Sequence, residues 1–263
     1  MAKPKATPPL EKNPYVKELL DVLKKHNPPG AEDLKAMLGN AVKIEQQLAE
    51  ALVELAAMRR ELAAIREDNH PMRKVLQNAI AAIQEQIRAL REQLETLKAS
   101  IIEGCKNALA AFKERGTAAL NNIARFFKVR PALENMAARL ETAEQKNADR
   151  IATIAAISAE YHKAGQNLRN IGRVIAGRDP LPDPKPVGKV AKAIQAPYKA
   201  ACACIAAIWY QVQGALENLA KLEKAAEKPP PIKEQYAKAA GEAAAHNSRT
   251  APDKSRPAPA AEL

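Results

Sequence analysis

LQNAIAAIQEQIRALREQLETLKASI, residues 76–101, places Leu76, Ile80, Ile83, Ile87, Leu90, Leu94, Leu97 and Ile101 at alternating steps of four and three. The mean period of about 3.5 residues is the seam of helices that pack knobs into holes. Upstream, Leu34, Met37, Ala41, Ile44, Leu48, Ala51, Leu55, Met58, Leu62 and Ile65 repeat the pattern with steps of three and four. Two consecutive seams predict two long helices that bury one face each. They say nothing of what the paired helices are for.

The join between the seams is Asp68-Asn69-His70-Pro71. Four weak helix formers in a row favour a break, with Pro71 at the first turn of a new helix. A continuous helix would instead have to absorb a stutter on the path Ile65, Asn69, Met72, Leu76, Ile80. Helices of similar length on either side favour an antiparallel hairpin folded at Pro71. Ile80, Ile87 and Ile101 at a with Leu76, Leu90 and Leu97 at d would suit a parallel dimer, a preference that Ile83 at d and Leu94 at a weaken.

Further along, Gly116 suits the residue after a helix and Thr117 the cap of the next one. That next helix is predicted to be short, with Leu120, Ile123, Phe126 and Phe127 on its apolar face. Pro131 opens a third long helix with the seam Leu133, Met136, Leu140, Ile151, Ile154, Ile157, Tyr161, Leu168, Ile171 and Ile175. Asn147 interrupts that seam, either to specify register or because the face turns to solvent there. Prolines at nearly every second position make 177–188 a stiff extended linker. A fourth long helix is predicted from Lys189 to Lys228, kinked or restarted at Pro197. Ahead of the first long helix, Val16, Leu19, Leu20 and Leu23 mark a short helix after Pro14.

The expected fold is therefore all-α: an elongated bundle of long coiled-coil helices with disordered ends. Residues 1–13 and 229–263 are Pro-, Lys- and Ala-rich and are expected to be disordered. Residues 14–130 form one helical coiled-coil region and 131–228 a second, which contains the linker.

The composition narrows the chemistry. Only three Phe and one Trp are present, so a thick globular core is not expected. His26, His70, His162 and His246 are far apart in sequence, and none has a second ligand at metal spacing. Cys202 and Cys204 lack the spacing of a redox or zinc motif, so these two and Cys105 read as small apolar residues. No glycine-rich phosphate loop and no nucleophile elbow is present. The expectation is a non-enzyme with no catalytic residue, no metal and no cofactor. No uncharged apolar stretch reaches the length of about 18 residues that a membrane span needs. An odd cysteine count and a start with no signal sequence point to a reduced, cytoplasmic protein.

The net charge of +11 is uneven. Residues 34–103 are neutral, 104–130 carry six basic and one acidic residue, and 163–199 carry eight and two. If the third long helix packs beside Phe126 and Phe127, then Arg125, Lys128, Arg130, Arg169 and Arg173 share one surface that nucleic-acid phosphates would occupy. The same block could lie on an anionic membrane. In the plainer reading the phenylalanines form the core of a helical corner ringed by solvated charge.

The strings NPYVKELL (13–20), CKNALAAFKERG (105–116), ALNNIARFF (119–127), EYHKAG (160–165) and APYKA (196–200) carry a resemblance. Over roughly residues 13–228 the chain resembles an uncharacterised domain-of-unknown-function family encoded on integrative conjugative elements of gut Gram-positive anaerobes. The resemblance implies a bacterial, cytoplasmic mobile-element protein and carries over no activity. The expected function is that of a structural or adaptor coiled-coil protein binding a protein partner through helix faces, with a homo-oligomer compatible. The alternative is a nucleic-acid-binding accessory protein.

The ends give the first test. Residues 1–12 and 232–263 bring too little apolar surface to offset their ordering entropy. Limited proteolysis should trim both ends from a resistant middle.

Overall fold

The computed structural model describes residues 8–64, 70–182 and 187–227. Its helices are α1 (Pro14–His26), α2 (Ala31–Ala64), α3 (His70–Arg115), α4 (Arg130–Ile175) and α5 (Lys189–Glu227). Short 3-10 segments occupy Leu10–Lys12 and Gly116–Phe126, and the described residues contain no strand.

The seams fold back on each other. The side chain of Arg59 in α2 reaches Gln84 in α3, and Glu45 in α2 meets Lys98 in α3. Fourteen residues backward along α2 therefore match fourteen forward along α3, the mark of an antiparallel hairpin. The fold-back expected at Pro71 is thus present; its residues 65–69 lie outside the described ones. The neighbouring pairs α2/α5, α3/α4 and α4/α5 are also antiparallel. Asn40 lies beside Gly214 and Gln47 beside Cys204; Gln86 meets Asn147; Ile151 meets Gln195 and Arg130 meets Glu223. The result is an up-down-up-down four-helix bundle in which α3 and α5 also touch across the centre. Side chains from both 14–130 and 131–227 contribute to one hydrophobic core.

Two polar pairs sit inside this packing. Asn147 is buried and exchanges two hydrogen bonds of 3.1 Å with Gln86, each amide donating once. That arrangement answers the open reading of Asn147: it faces α3, not solvent. The second pair was not legible in the heptads. Lys98 is only 2% exposed, and its Nζ donates to Glu45 Oε1 at 2.7 Å and to Glu95 Oε1 at 3.4 Å.

Glu45 does a second job. Its Oε2 accepts a 3.0 Å hydrogen bond from the backbone N–H of Leu10, whose side chain is buried. The expectation of disorder over 1–13 is therefore corrected for residues 8–13. One large apolar side chain and one backbone hydrogen bond hold Leu10–Lys12 against α2, and trimming back to residue 12 would remove a core contact. Asn13 then caps α1, accepting from Tyr15 N at 3.0 Å and Val16 N at 3.4 Å, with Pro14 at the first turn as expected.

The corner between α3 and α4 differs from the expected short α-helix. Gly116 adopts φ +64 and ends α3 as predicted, but the chain then runs in 3-10 geometry with a non-helical Asn122, and no side chain caps it. Leu120, Ile123 and Phe127 are buried there. Phe127 and the Phe126 carbonyl press onto α3 at Gly104, where an added Cβ would lie 2.8 and 2.9 Å from them. Backbone contact on one side leaves no room for any other residue at 104.

The Lys98 pair gives a stability test. Glu45→Ala should cost about 1–3 kcal/mol, because it removes the shorter of the two carboxylate contacts of a buried ammonium and releases the Leu10 N–H. Lys98→Met, which keeps the stem volume and removes the charge, should cost less than about 1.5 kcal/mol. Urea unfolding midpoints of the two variants give the comparison.

Candidate functional site

Seven-residue repeats need cover along their whole length, and in α4 the cover stops. Leu133, Met136, Leu140, Ala143 and Asn147 are buried in the bundle, and Ile151 and Ile154 are packed at its edge. Beyond them the seam continues at steps of three and four through Ile157, Tyr161, Ala164, Leu168, Ile171 and Ile175. Those side chains face solvent: Ile157 is 65% exposed, Tyr161 78%, Leu168 72%, Ile171 58% and Ile175 82%. The reason is length. Gly188, just before α5, bonds Ser158 Oγ at 3.1 Å, so α5 joins α4 only at that level. From Ile157 to Ile175 the large side chains of the seam are exposed.

The segment after α4 does not fill the gap. Gly177 (φ +68) ends the helix in a Schellman arrangement, with Gly177 N donating to Val174 O at 3.0 Å and Arg178 N to Arg173 O at 2.8 Å. The chain then turns back along α4. Leu181 N donates to Asn170 Oδ1 at 2.8 Å, Gln166 Nε2 to Leu181 O at 2.9 Å and to Pro182 O, and Arg173 Nε to Asp179 O at 2.7 Å. At about 100° per residue, the anchor line Ser158, Gln166, Asn170, Arg173 lies about 160° around the helix from the apolar stripe. The returning strap covers the polar face and leaves the apolar one open. Residues 183–186 of the expected extended linker lie outside the described residues.

Between strap and stripe lies a groove of about 560 Å³, lined by Tyr161, Gly165, Leu168, Arg169, Leu181 and Pro182 among others. Gly165 and Gly172 stand one heptad apart on this edge, and a Cβ at either would meet nothing within 4 Å. Each costs the helix about 1 kcal/mol relative to Ala, with no contact among the described residues to explain it.

The basic residues singled out from sequence do not converge. Arg130 begins α4 and Arg169 lies near its other end, about 58 Å away at 1.5 Å per residue. The single surface expected for Arg125, Lys128, Arg130, Arg169 and Arg173 is corrected: there are two groups at opposite ends of one helix. In the first group Arg130 is paired with acids, and other basic residues of 104–130 have acidic neighbours too. Arg130 pairs with Glu223 of α5 and, at 3.7 Å, with Glu134. Its hydrogen bond to Glu223 raises the guanidinium pKa above the ordinary value. Lys113 pairs with Glu18 of α1 at 3.0 Å, Lys106 with Glu103 at 4.0 Å and Arg115 with Glu114 at 3.7 Å. Arg125 stacks over the Phe126 ring at 4.6 Å. The groove at Arg125 and Lys128 also contains Glu103 and Glu114. In the second group, the Nε of Arg173 is committed to the strap, and Arg169 is exposed.

Burial pushes the Cys105 thiol up to about 12 and that of Cys204 up to about 11. Thiols held neutral there pack as small apolar side chains, as expected from sequence. Among the described residues no group of His, Cys, Asp and Glu is arranged to hold a metal, and no helix is long and apolar enough to cross a membrane.

A model of DUF6674, a family of unknown function, matches residues 12–257. The chain belongs to this family. No curated protein and no solved structure matches it. The DUF6674 match takes in the whole described bundle, the α4 stripe included.

Two positions on one seam separate cover from exposure. Leu133→Ala should cost about 2–5 kcal/mol, as for other buried leucines. Leu168→Ala, on the open stripe, should change monomer stability by less than about 0.5 kcal/mol. Thermal unfolding of the two variants in dilute solution reads the difference.

Proposed function

We propose that this DUF6674 protein is a structural adaptor that binds a protein partner through the open end of α4. The observation that carries the reading is the continuation of the α4 seam past its own chain's helices, from Ile157 to Ile175, with five large apolar side chains facing solvent. A helix that exposes a regular stripe of this kind offers an anchor surface of the helix-to-helix type. The strap anchored on the polar side of α4 leaves this stripe open to a partner. The setting on a bacterial mobile element, and the cytoplasm as compartment, belong to the same proposal. Their support is the resemblance carried by strings such as CKNALAAFKERG at 105–116 and the three free cysteines.

The nucleic-acid alternative has less behind it. Its five basic residues fall into two groups, and at the corner Arg130 is paired with Glu134 and Glu223. Counterion release scales with the number of phosphates met by free cations on one surface, and the separation lowers that number.

The test compares the full chain with a Leu168→Asp/Ile171→Asp variant in affinity capture after nuclease treatment. The adaptor reading expects proteins retained by the first and lost with the second, and a flat titration of labelled DNA and RNA at low salt. Capture unaffected by the two substitutions, or salt-sensitive nucleic-acid binding weakened by Arg125→Gln/Lys128→Gln, would overturn it.

A further inference from the structure

The geometry points to a second copy of this chain as the partner on the α4 stripe, the two helix ends lying antiparallel; this rests on the adaptor reading and gives it a partner. Four observations carry it.

First, the stripe fits itself. Ile157, Tyr161, Ala164, Leu168, Ile171 and Ile175 are spaced symmetrically about position 166. Two copies laid antiparallel about that point set Ile157 against the partner's Ile175, Tyr161 against the partner's Ile171, and Ala164 against the partner's Leu168. Every layer is a contact between an a and a d position, and the smallest side chain meets a large one. A parallel pair would instead stack Tyr161 on the partner's Tyr161 and leave a void at paired Ala164. Second, the flanking edge is small where the pair needs it. Gly165 and Gly172 form one edge, and antiparallel pairing about position 166 sets Gly165 beside the partner's Gly165, one residue either side of the two-fold axis. The space that a Cβ would find empty at 165 and 172 is then where the neighbouring helix passes. Third, the extent is right. Side chains with these exposures present on the order of 600 Å² per copy, or 1,200 Å² for the pair, at the lower edge of stable interfaces. The overlap of about 28 Å ends, in each copy, where the other's bundle begins. Fourth, the C-terminal segment of this chain is a poor occupant by composition. Residues 228–263 follow Glu227, at the opposite end of the bundle beside the Arg130–Glu223 pair. Their only large apolar residues are Ile232, Tyr236 and Leu263.

The experiment uses the full chain. Sedimentation and light scattering across a range of concentrations should show a dimer. Leu168→Asp/Ile171→Asp should weaken it at least about 100-fold with an unchanged circular dichroism spectrum, since both positions are exposed within one chain. Gly165→Leu should weaken the dimer while raising the thermal midpoint of the monomer, because it adds helix propensity and meets no contact inside the chain. Orientation is read by cross-linking in a Cys202→Ser background. Mixed Ile157→Cys and Ile175→Cys chains should form a disulfide under mild oxidant, and Ile175→Cys alone should not. A monomer at every concentration overturns the inference. So does a dimer indifferent to Leu168→Asp/Ile171→Asp, or one that cross-links through Ile175→Cys alone. A monomer that still captures a protein through Leu168 and Ile171 would leave the adaptor reading standing, whereas a monomer that captures nothing would remove both.

Discussion

Apolar side chains repeated every 3.5 residues stabilise a helix only where another helix covers them, and this constraint shapes the whole chain. Helices α2 to α5 cover one another over a common length and place their seams around the α3/α5 contact. The bundle ends where the hairpin between α2 and α3 turns and α5 enters. One helix, α4, is longer than that common length. Its first half is a core element and its second half is a projecting arm made from the same repeat. The division comes from the reach of its neighbours, since the sequence pattern of α4 does not change at Ile157.

Seam packing alone would let helices slide by a heptad at modest cost, because one Leu or Ile layer resembles the next. The two buried polar pairs remove that freedom. Asn147 and Gln86 satisfy each other only at one offset of α4 on α3, and a slip would bury two amides without partners. Lys98 and Glu45 do the same for α2 on α3, and the second oxygen of Glu45 extends the lock to Leu10. Their contribution is to uniqueness more than to net stability, as is usual for polar groups inside heptad packing.

Much of this was legible in the residues. The periods of α2 and α3 carry the helices, Pro71 the fold-back, Pro131 the start of α4, and Gly116 the end of α3, each through a local rule of backbone geometry. Asn147 announced itself by breaking a seam. What escaped reading depended on neighbours distant in sequence. Leu10 is one apolar residue in a Pro- and Lys-rich start, so composition alone suggested disorder. Lys98 lies between two seam positions in a pattern where a charge normally points to water. The basic block at 104–130 gains Glu18 and Glu223 only once α1 and α5 dock beside it. Periodicity likewise gave the length of the α4 seam but not the point where its cover ends.

The last long helix, α5, makes the most extensive pairings among the described residues, with α2 and with α4. This ordering has a consequence for synthesis on the ribosome. Helices α2 and α3 can zip into a hairpin as soon as both have emerged, since their contacts are close in sequence. The other flank of α2, which α5 will cover, must wait for Glu227, 163 residues after Ala64. At typical elongation rates that delay is about ten to thirty seconds. Throughout it a nascent chain displays a bare Leu- and Ala-lined groove, so the interval before α5 emerges is when the chain is most open to holdase chaperones and to neighbouring chains on the same message.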